Sequence, residues 1–355
     1  MYIAVTGGIG GVGRTTVAQL IAHGHKVRVL DRVPASEVKP EVLEEIQGAE
    51  YQQAEITDFE SLRGQFDGMD AVVHLAAPAS PGMGPEHLVY DVNTRGTFNV
   101  NRTAADAGIK RVVSASSINA LGYNYGIKGF PIRYFPIDEE HPDFTSDPYS
   151  FSKRILEQTA DYFWRREEIS GVSLRFPGVY RADSGRGARR AEHMKRRAEA
   201  LELFMQLPED ERRARVRKAV ECDEALREKR VKEQPFEEQR KRWEKLRSQG
   251  PPLHEMMLCW GRTDFWALIN VLDVVQAIEK GLTADYEGSH TLFVNESHNF
   301  LGLSSEMLLS YCFPDVTACK REITGTDALV SIEKARAPIG FEPEYSMGKS
   351  FEAAD

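Results

Sequence analysis

The 355 residues include 45 lysines and arginines against 54 aspartates and glutamates, a formal charge of −9, with 41% hydrophobic and 28% charged residues. That balance argues against nucleic acid or an anionic membrane as partner, and that much apolar material excludes a wholly disordered chain. Four cysteines with no C-x-x-C pair and no histidines at metal spacing leave a zinc site and a disulfide framework without support, so a small-molecule partner and no metal are expected.

Met1–Val5 runs straight into a glycine turn, with no basic segment or long apolar stretch ahead of it, and no stretch approaches about 18 uninterrupted apolar residues. A cytoplasmic protein without a membrane span is expected. Short apolar runs at 2–5, 26–30, 71–75 and 111–115 alternate with segments of helical period at 12–22 and 97–107. The alternation predicts βαβ units and a parallel sheet, and the nearly continuous Val, Ile, Leu and Ala content suits strands covered on both faces. Another strand is expected at 172–175.

The composition then changes. Residues 181–250 hold 21 lysines and arginines against 15 aspartates and glutamates. Ala198, Leu201, Phe204, Met205, Val216 and Val220 keep a loose helical spacing there, so an inserted module of two or three helices, broken near Pro208 and Pro235, is predicted. Mixed charge on its other faces reads as a solvated appendage, the alternatives being a lid over the substrate or an oligomer contact. A nucleic-acid scaffold is disfavoured, since acids almost balance bases and aromatics are sparse. Helical period resumes at 264–282, expected to pack back on the sheet, and short elements follow at 290–294, 304–312 and 331–339.

Gly7, Gly10 and Gly13, with Gly11 and Val12 between them, sit after the first strand and open a helix, the setting in which G-x-x-G-x-x-G binds a pyrophosphate. Asp31, eighteen residues past Gly13 at the end of the second strand, can accept hydrogen bonds from the adenosine ribose and would repel a 2′-phosphate. NAD is therefore expected over NADP, with Arg32 either solvated or paired with such a phosphate. Tyr149 and Lys153 lie four residues apart, one turn on a helix. A phenol of pKa about 10 is a poor base near neutrality unless a positive charge favours the phenolate, and Lys153 can supply it. Tyr149 would then take a hydroxyl proton as hydride leaves for the nicotinamide, with Ser117 bonded to the same substrate oxygen.

On these residues the chain resembles the extended short-chain dehydrogenases/reductases of the NAD-dependent epimerase/dehydratase family, closely over residues 1 to about 180. Thr6–Gly13 matches the cofactor turn. Asp58, in Ile56-Thr-Asp58, resembles the acid that caps the adenine, and His74-Leu75-Ala76-Ala77 the segment lining the nicotinamide ribose, with His74 in a structural role. Asn93 opens the helix signature Asn93–Val100, Ser114–Ser117 matches the serine-rich strand end, and Pro177 lies in the stretch Leu174–Tyr180. The resemblance implies an α/β fold: a Rossmann doubly wound parallel sheet over 1–175 and a smaller C-terminal substrate lobe over 176–355. The lobe would contain the charged helical insertion 185–252 and the segment 264–284 packing back on the first domain. It also implies tightly held NAD and a homodimer built through helices near 95–107 and 148–168.

Two departures bear on the substrate. Nucleotide-sugar enzymes of this group usually carry Asn where this chain has Gly178, and Thr324–Asp327 keeps the acid of a C-terminal Arg-Pro-Gly-Asp segment but lacks its Arg. Both changes remove diphosphate contacts. Ser116–Tyr123 also resembles the uronate dehydrogenases, which oxidise free sugar acids. Ser117, Asn119, Gly178 and Arg181 are the candidate substrate residues, and Arg175 or Arg181 would pair with a substrate carboxylate, Arg175 being alternatively a buried structural cation. The expected function is NAD-dependent hydride transfer at a secondary alcohol or keto carbon of a sugar or sugar derivative. A nucleotide-sugar 4-epimerase with tightly bound NAD and a non-catalytic NAD-sensing protein are the alternatives. A dehydratase ranks below dehydrogenase and epimerase, because Ile118-Asn119 offers no carboxylate.

Overall fold

The computed structural model describes residues 1–181, 199, 202–228 and 261–347. Strands β1 (Tyr2–Thr6), β2 (Lys26–Asp31), β3 (Glu50–Gln53), β4 (Ala71–His74), β5 (Arg111–Ser117), β6 (Ser170–Phe176) and β9 (Ser289–Phe293) form one sheet in the order β3-β2-β1-β4-β5-β6-β9. All its pairings are parallel. The order reverses between β1 and β4, and at such a switch the loops leaving two neighbouring strands diverge to opposite faces and open a crevice. β7 (Gly178–Tyr180) and β8 (Leu268–Asn270) pair as a separate parallel ribbon.

Helices α1 (Gly11–Ala22), α2 (Pro40–Glu45), α3 (Phe59–Leu62), α4 (Glu86–Asp106) and α5 (Pro148–Glu167) belong to the first half of the chain. Four more follow: α6 (Glu209–Glu228), α7 (Val271–Thr283), α8 (Ser305–Cys312) and α9 (Glu333–Ile339). Alternation along each strand sends side chains to opposite faces. Ile3 and Val5 join Val17 and Leu20 of α1 and Val274 and Ile278 of α7 in one cluster, while Ala4 faces Val100 and Ala104 of α4 and Phe163 of α5 in another. A third cluster, which includes Phe135, Phe265, Trp266, Phe313 and Leu329, meets the sheet at Phe293 of β9.

Three sequence expectations change. The helix expected at 97–107 begins at Glu86, because its first turns bring only Val89 as a fully buried apolar anchor and so carry little period. In the segment 264–282 the apolar run covers two elements: Leu268–Asn270 is strand β8, and the helix waits until Asn270, whose side chain accepts from Leu272 N–H as an N-cap. That helix does pack on the sheet; a Cβ at Gly281 would stand 2.7 Å from Val172 Cγ2. The described part of the insertion is no solvated appendage. Phe204 and Val216 are buried in the third cluster, and α6 lies against α8. Ala198, Leu201 and the break expected at Pro235 lie outside the described residues.

Candidate active site

The first turn is built so that backbone meets backbone. Gly7 adopts φ +72°, and a Cβ there would stand 2.6 Å from Ala76 N. One at Gly13 would stand 2.8 Å from Gly8 Cα and closer still to the Gly7 carbonyl oxygen. Only glycine allows this approach. Gly10 and Gly11 are exposed at the turn, Val12 is half-buried, and α1 starts at Gly11 with no side chain capping it, so its first N–H groups remain available to an anion. Close glycine backbone and open helix N–H groups are the features a pyrophosphate cradle requires.

Asp31 ends β2 with a carboxyl raised by burial, an effect opposed by hydrogen bonds from the backbone of Val33, Arg32 and Ile9. Arg32 is exposed. Asp58 caps α3, accepting from Glu60 N–H at 3.1 Å, and is itself exposed. Ile56 is buried beneath α4, and Asn99 of that helix donates to its carbonyl at 2.9 Å. Leu75, Ala76 and Ala77 leave β4 half-buried across the switch from Gly7.

His74 joins three elements, its Nδ1 2.8 Å from Thr6 Oγ1 on β1 and its Nε2 3.1 Å from Thr97 Oγ1 on α4. Burial, helped by the charge of Lys153, lowers its pKa to about 3, so the ring is neutral. Asn93, one turn before Thr97, donates to Ser152 Oγ at 2.9 Å, and Ser152 donates to the carbonyl of Tyr149 at 2.7 Å. Asn93 Oδ1 is buried with no partner among the described residues.

Helix α5 presents the central pair. Asp147 caps it by accepting from Ser150 N–H at 2.8 Å and Pro148 fills the first position, which sets Tyr149 and Lys153 on the face toward the end of β5. Lys153 Nζ lies 5.8 Å from the centre of the Tyr149 ring and donates to Ala115 carbonyl at 2.8 Å. Burial brings its pKa down to about 8, with Glu157 opposing. Burial pushes the Tyr149 phenol above its ordinary value, and a hydrogen bond with Ser117 works the other way. The sequence looked to Lys153 for that opposing effect; in the structure Lys153 gives one of its three N–H groups to Ala115, and the Ser117 hydrogen bond acts on the phenol as well. Tyr125 packs edge-on to Tyr149, centroids 5.7 Å apart.

Behind this face lies a charge network. Glu157 accepts from Ser116 Oγ at 2.7 Å and from Arg175 Nε and Nη2 at 2.8 and 2.9 Å, and Arg154 adds a bond of 2.6 Å. Arg175 is therefore the buried structural cation, not a group for a substrate carboxylate: its charge is answered by Glu157 and its plane lies over Phe293. Arg181 reaches Glu45 at 3.4 Å, near the end of α2. Pro177 is buried between β6 and β7, and Gly178, the first residue of β7, is exposed with its Cα facing Leu268. Glu157 was absent from the sequence reading although it stands one turn beyond Lys153, a spacing that could have marked it; Tyr125 lies in an irregular loop with no such signal.

Gly7, Asp31, Leu75, Ser117 and Pro177 thus stand at the carboxyl ends of β1, β2, β4, β5 and β6, around the switch between β1 and β4, whereas Asp58 follows β3 and Arg181 follows β7. Among the described residues no group of three or more His, Cys, Asp or Glu is placed to hold a metal ion, and no helix is long and apolar enough to cross a membrane.

The chain is 31% identical over 178 residues to the NAD-dependent glucose-6-phosphate dehydrogenase of Haloferax volcanii, which is 49% of this chain and 66% of that protein. It is 32% identical over 182 residues to cinnamoyl-CoA reductase 1 of Petunia hybrida, 48% of this chain and 51% of that one. It spans about half to two thirds of the length of these curated relatives. In fold it is similar to a short-chain dehydrogenase/reductase superfamily protein from Agrobacterium tumefaciens solved with bound NAD, with TM-score 0.59 and 20% identity, covering all of this chain and 96% of the other. Residues 3–211, more than half of the chain, match the NAD dependent epimerase/dehydratase family, and the chain belongs to that family.

Proposed function

We propose that the protein transfers hydride between NAD and a secondary alcohol or keto carbon of a sugar or sugar-derived substrate, with Tyr149 as the acid/base. The observation that carries this reading is the burial of Tyr149, Lys153 and Ser117 together at the end of β5, across the crevice from the glycine turn. NAD, when bound, supplies the hydride acceptor or donor. Gly7, Gly10, Gly11, Val12 and Gly13 would hold its pyrophosphate, Asp31 its adenosine ribose, and Ile56, Asp58, Leu75, Ala76, Ala77, Asn93 and Pro177 would line the rest.

The chain's own part is proton and charge management. Ser117 donates to the reacting oxygen, Tyr149 takes that oxygen's proton in oxidation and returns it in reduction, and Lys153 keeps a positive charge beside the phenol. The sugar reading draws on the glucose-6-phosphate dehydrogenase relative; Gly178 and Thr324, which stands where the C-terminal segment's arginine would be, favour a free sugar or sugar acid over a nucleotide sugar. A homodimer through α4 and α5 belongs to the same proposal, supported by the exposed Leu88, Phe98 and Phe151 on those helices, as does a cytoplasmic location.

The test is turnover with NAD across free sugars, sugar acids and nucleotide sugars, for the wild type and Tyr149→Phe. A loss of about 10²–10⁴ in kcat with NAD affinity retained is expected. Unchanged turnover in the variant would sink the mechanism. Steady NADH accumulation marks a dehydrogenase, and product without NADH marks an epimerase.

A further inference from the structure

Past Ser117 the chain turns twice before it reaches Tyr125. Asn119 makes the first turn by donating its backbone N–H and its side-chain Nδ2 to Ser117 Oγ, at 3.1 and 3.2 Å. Gly122, at φ +85°, makes the second, where a Cβ would meet the Phe144 carbonyl. The next two residues are gripped by a distant stretch of chain, the segment ahead of β8. Tyr123 accepts at its hydroxyl from Arg262 Nη1 at 3.0 Å and stacks on Phe265, ring centres 5.4 Å apart, and Asn124 Oδ1 accepts from Thr263 Oγ1 at 2.8 Å. Arg262 is itself buried, and Glu224 of α6 lies 3.5 Å from its Nη2. Phe265 and Trp266 are buried and left-handed, at φ +57° and +52°, in a turn closed by Ala267 N–H on the Asp264 carbonyl. Bulky residues adopt that backbone only where their surroundings over-determine it. Here the turn sets Arg262 and Phe265, three residues apart, on the same tyrosine.

We infer that Tyr125 fixes the orientation of the Tyr149 ring, and that Arg262 and Thr263 hold Tyr125 in place by gripping the two residues before it. This rests on the reading of Tyr149 as the acid/base. Tyr125 is half-buried, and its ring stands at 80° to that of Tyr149 with centres 5.7 Å apart. An edge-on aromatic contact of this kind holds a ring in angle as well as in place. Helix α5 fixes Tyr149 at its Cα and Ser117 bonds its hydroxyl. The ring between them keeps its tilt only against what packs on it, since the second torsion of a tyrosine is broad. Proton exchange with a substrate oxygen is sensitive to such tilts: a misplacement of about 1 Å costs about 10²-fold in rate. Tyr125, Arg262 and Thr263 are thus positioning residues, and the segment ahead of β8 reaches the proton transfer through the loop that follows β5.

The full-length wild type, Tyr125→Leu, Tyr125→Phe, Thr263→Val and the Tyr125→Leu/Thr263→Val double variant are assayed with NAD on the free sugar or sugar acid that the wild type turns over fastest. Tyr125→Leu should lower kcat by about 10–10²-fold with KM and NAD affinity little changed. Tyr125→Phe keeps the ring and should recover most of that loss. Thr263→Val removes the hydroxyl bonded to Asn124; it should lower kcat by about threefold or more alone and add nothing to Tyr125→Leu, because both act on the same ring. An unchanged kcat in Tyr125→Leu would overturn the inference, as would a loss confined to KM, which would make Tyr125 a substrate contact. Equal losses in Tyr125→Leu and Tyr125→Phe would assign the effect to the hydroxyl and overturn it too, and so would additive losses in the double variant. Should Tyr125→Leu fail to fold, Thr263→Val still decides: an unaltered kcat, with its unfolding midpoint near that of the wild type, would overturn the inference. Absence of wild-type turnover on every secondary alcohol would instead overturn the reading of Tyr149 as the acid/base, and this inference with it.

Discussion

Glu157 and Arg175 meet through two parallel bonds, 2.8 Å from Nε to Oε1 and 2.9 Å from Nη2 to Oε2, with both side chains 3% exposed. The pair joins α5 to β6, and Ser116 ties it to β5 one residue before Ser117. Glu157→Gln leaves a buried guanidinium unanswered, and a truncation of that kind costs about 3–5 kcal/mol. Urea unfolding should report a loss of that order; a loss under about 1 kcal/mol would contradict the pairing. Burial raises the Glu157 carboxyl, but Arg175, Arg154 and Ser116 together outweigh it and the net pKa is lowered. A depressed carboxylate contributes stability above its unfolded pKa that is lost as pH falls through the folded one, so the variant's deficit should shrink in acid.

The pKa of Lys153, brought down to about 8 by burial, places a limit on activity. Below that pH the ammonium beside Tyr149 is charged; above it the charge goes. The kcat profile should decline above about pH 8. Glu157→Gln removes a charge that supports the ammonium and should move that decline to lower pH, whereas Lys153→Arg, whose side chain stays charged throughout, should remove the decline at a lower overall rate. An identical alkaline limb in all three proteins would show that another group sets it.

His74 gives the opposite end of the pH range its sensitivity. Its pKa drops from 6.5 to about 3 on burial, so the unfolded chain binds a proton that the native state refuses. Stability therefore falls as pH falls from 6.5 toward 3, at about 1.4 kcal/mol per unit. Between pH 7 and pH 5 the wild type should lose about 2 kcal/mol more than His74→Gln, as measured by denaturant unfolding at both pH values. Equal losses would mean that His74 is not held neutral.

The glycine turn predicts a contrast between two alanines. At Gly13 the added Cβ meets the backbone of Gly7 and Gly8, so Gly13→Ala should destabilise the fold by about 1–3 kcal/mol and abolish NAD binding. A Cβ at Gly11 meets nothing within 4 Å, and Gly11→Ala should leave stability unchanged or raise it by up to about 1 kcal/mol. Calorimetry with NAD then reads the cofactor's closeness to Gly11 directly, because any affinity lost there has no structural cause within the protein.

The five central strands could be read from the sequence because each is a run of Val, Ile, Leu or Ala bounded by polar turns, and the glycine motif followed because the geometry that needs glycine also spaces it. Tyr149 and Lys153 came from spacing along one helix, and Asp31 from its distance past the glycine turn. What the sequence hid depends on chain segments that meet only after folding. That Arg175 answers Glu157 and not a substrate turns on the pairing of α5 with β6. Asn119 stood among the substrate residues, but its two bonds to Ser117 follow from the backbone turning at the end of β5. The third cluster brings Phe135, Phe204, Phe265 and Phe313 together from distant stretches, and a charge count over 181–250 could not show that α6 has a buried side.

Strand β9 finishes the sheet by pairing along Gly171–Arg175 of β6, yet everything between Phe176 and Ser289 is made first. During synthesis β6 therefore waits as an open parallel edge, and α7, which covers Val113 and Val172, has not yet arrived. Such an edge accepts any strand of the right register, a second nascent chain's included. The order in which this polypeptide leaves the ribosome thus exposes it to strand exchange between copies, and a version that ends before Ser289 should aggregate even though its nucleotide turn and its Tyr149/Lys153 face are complete.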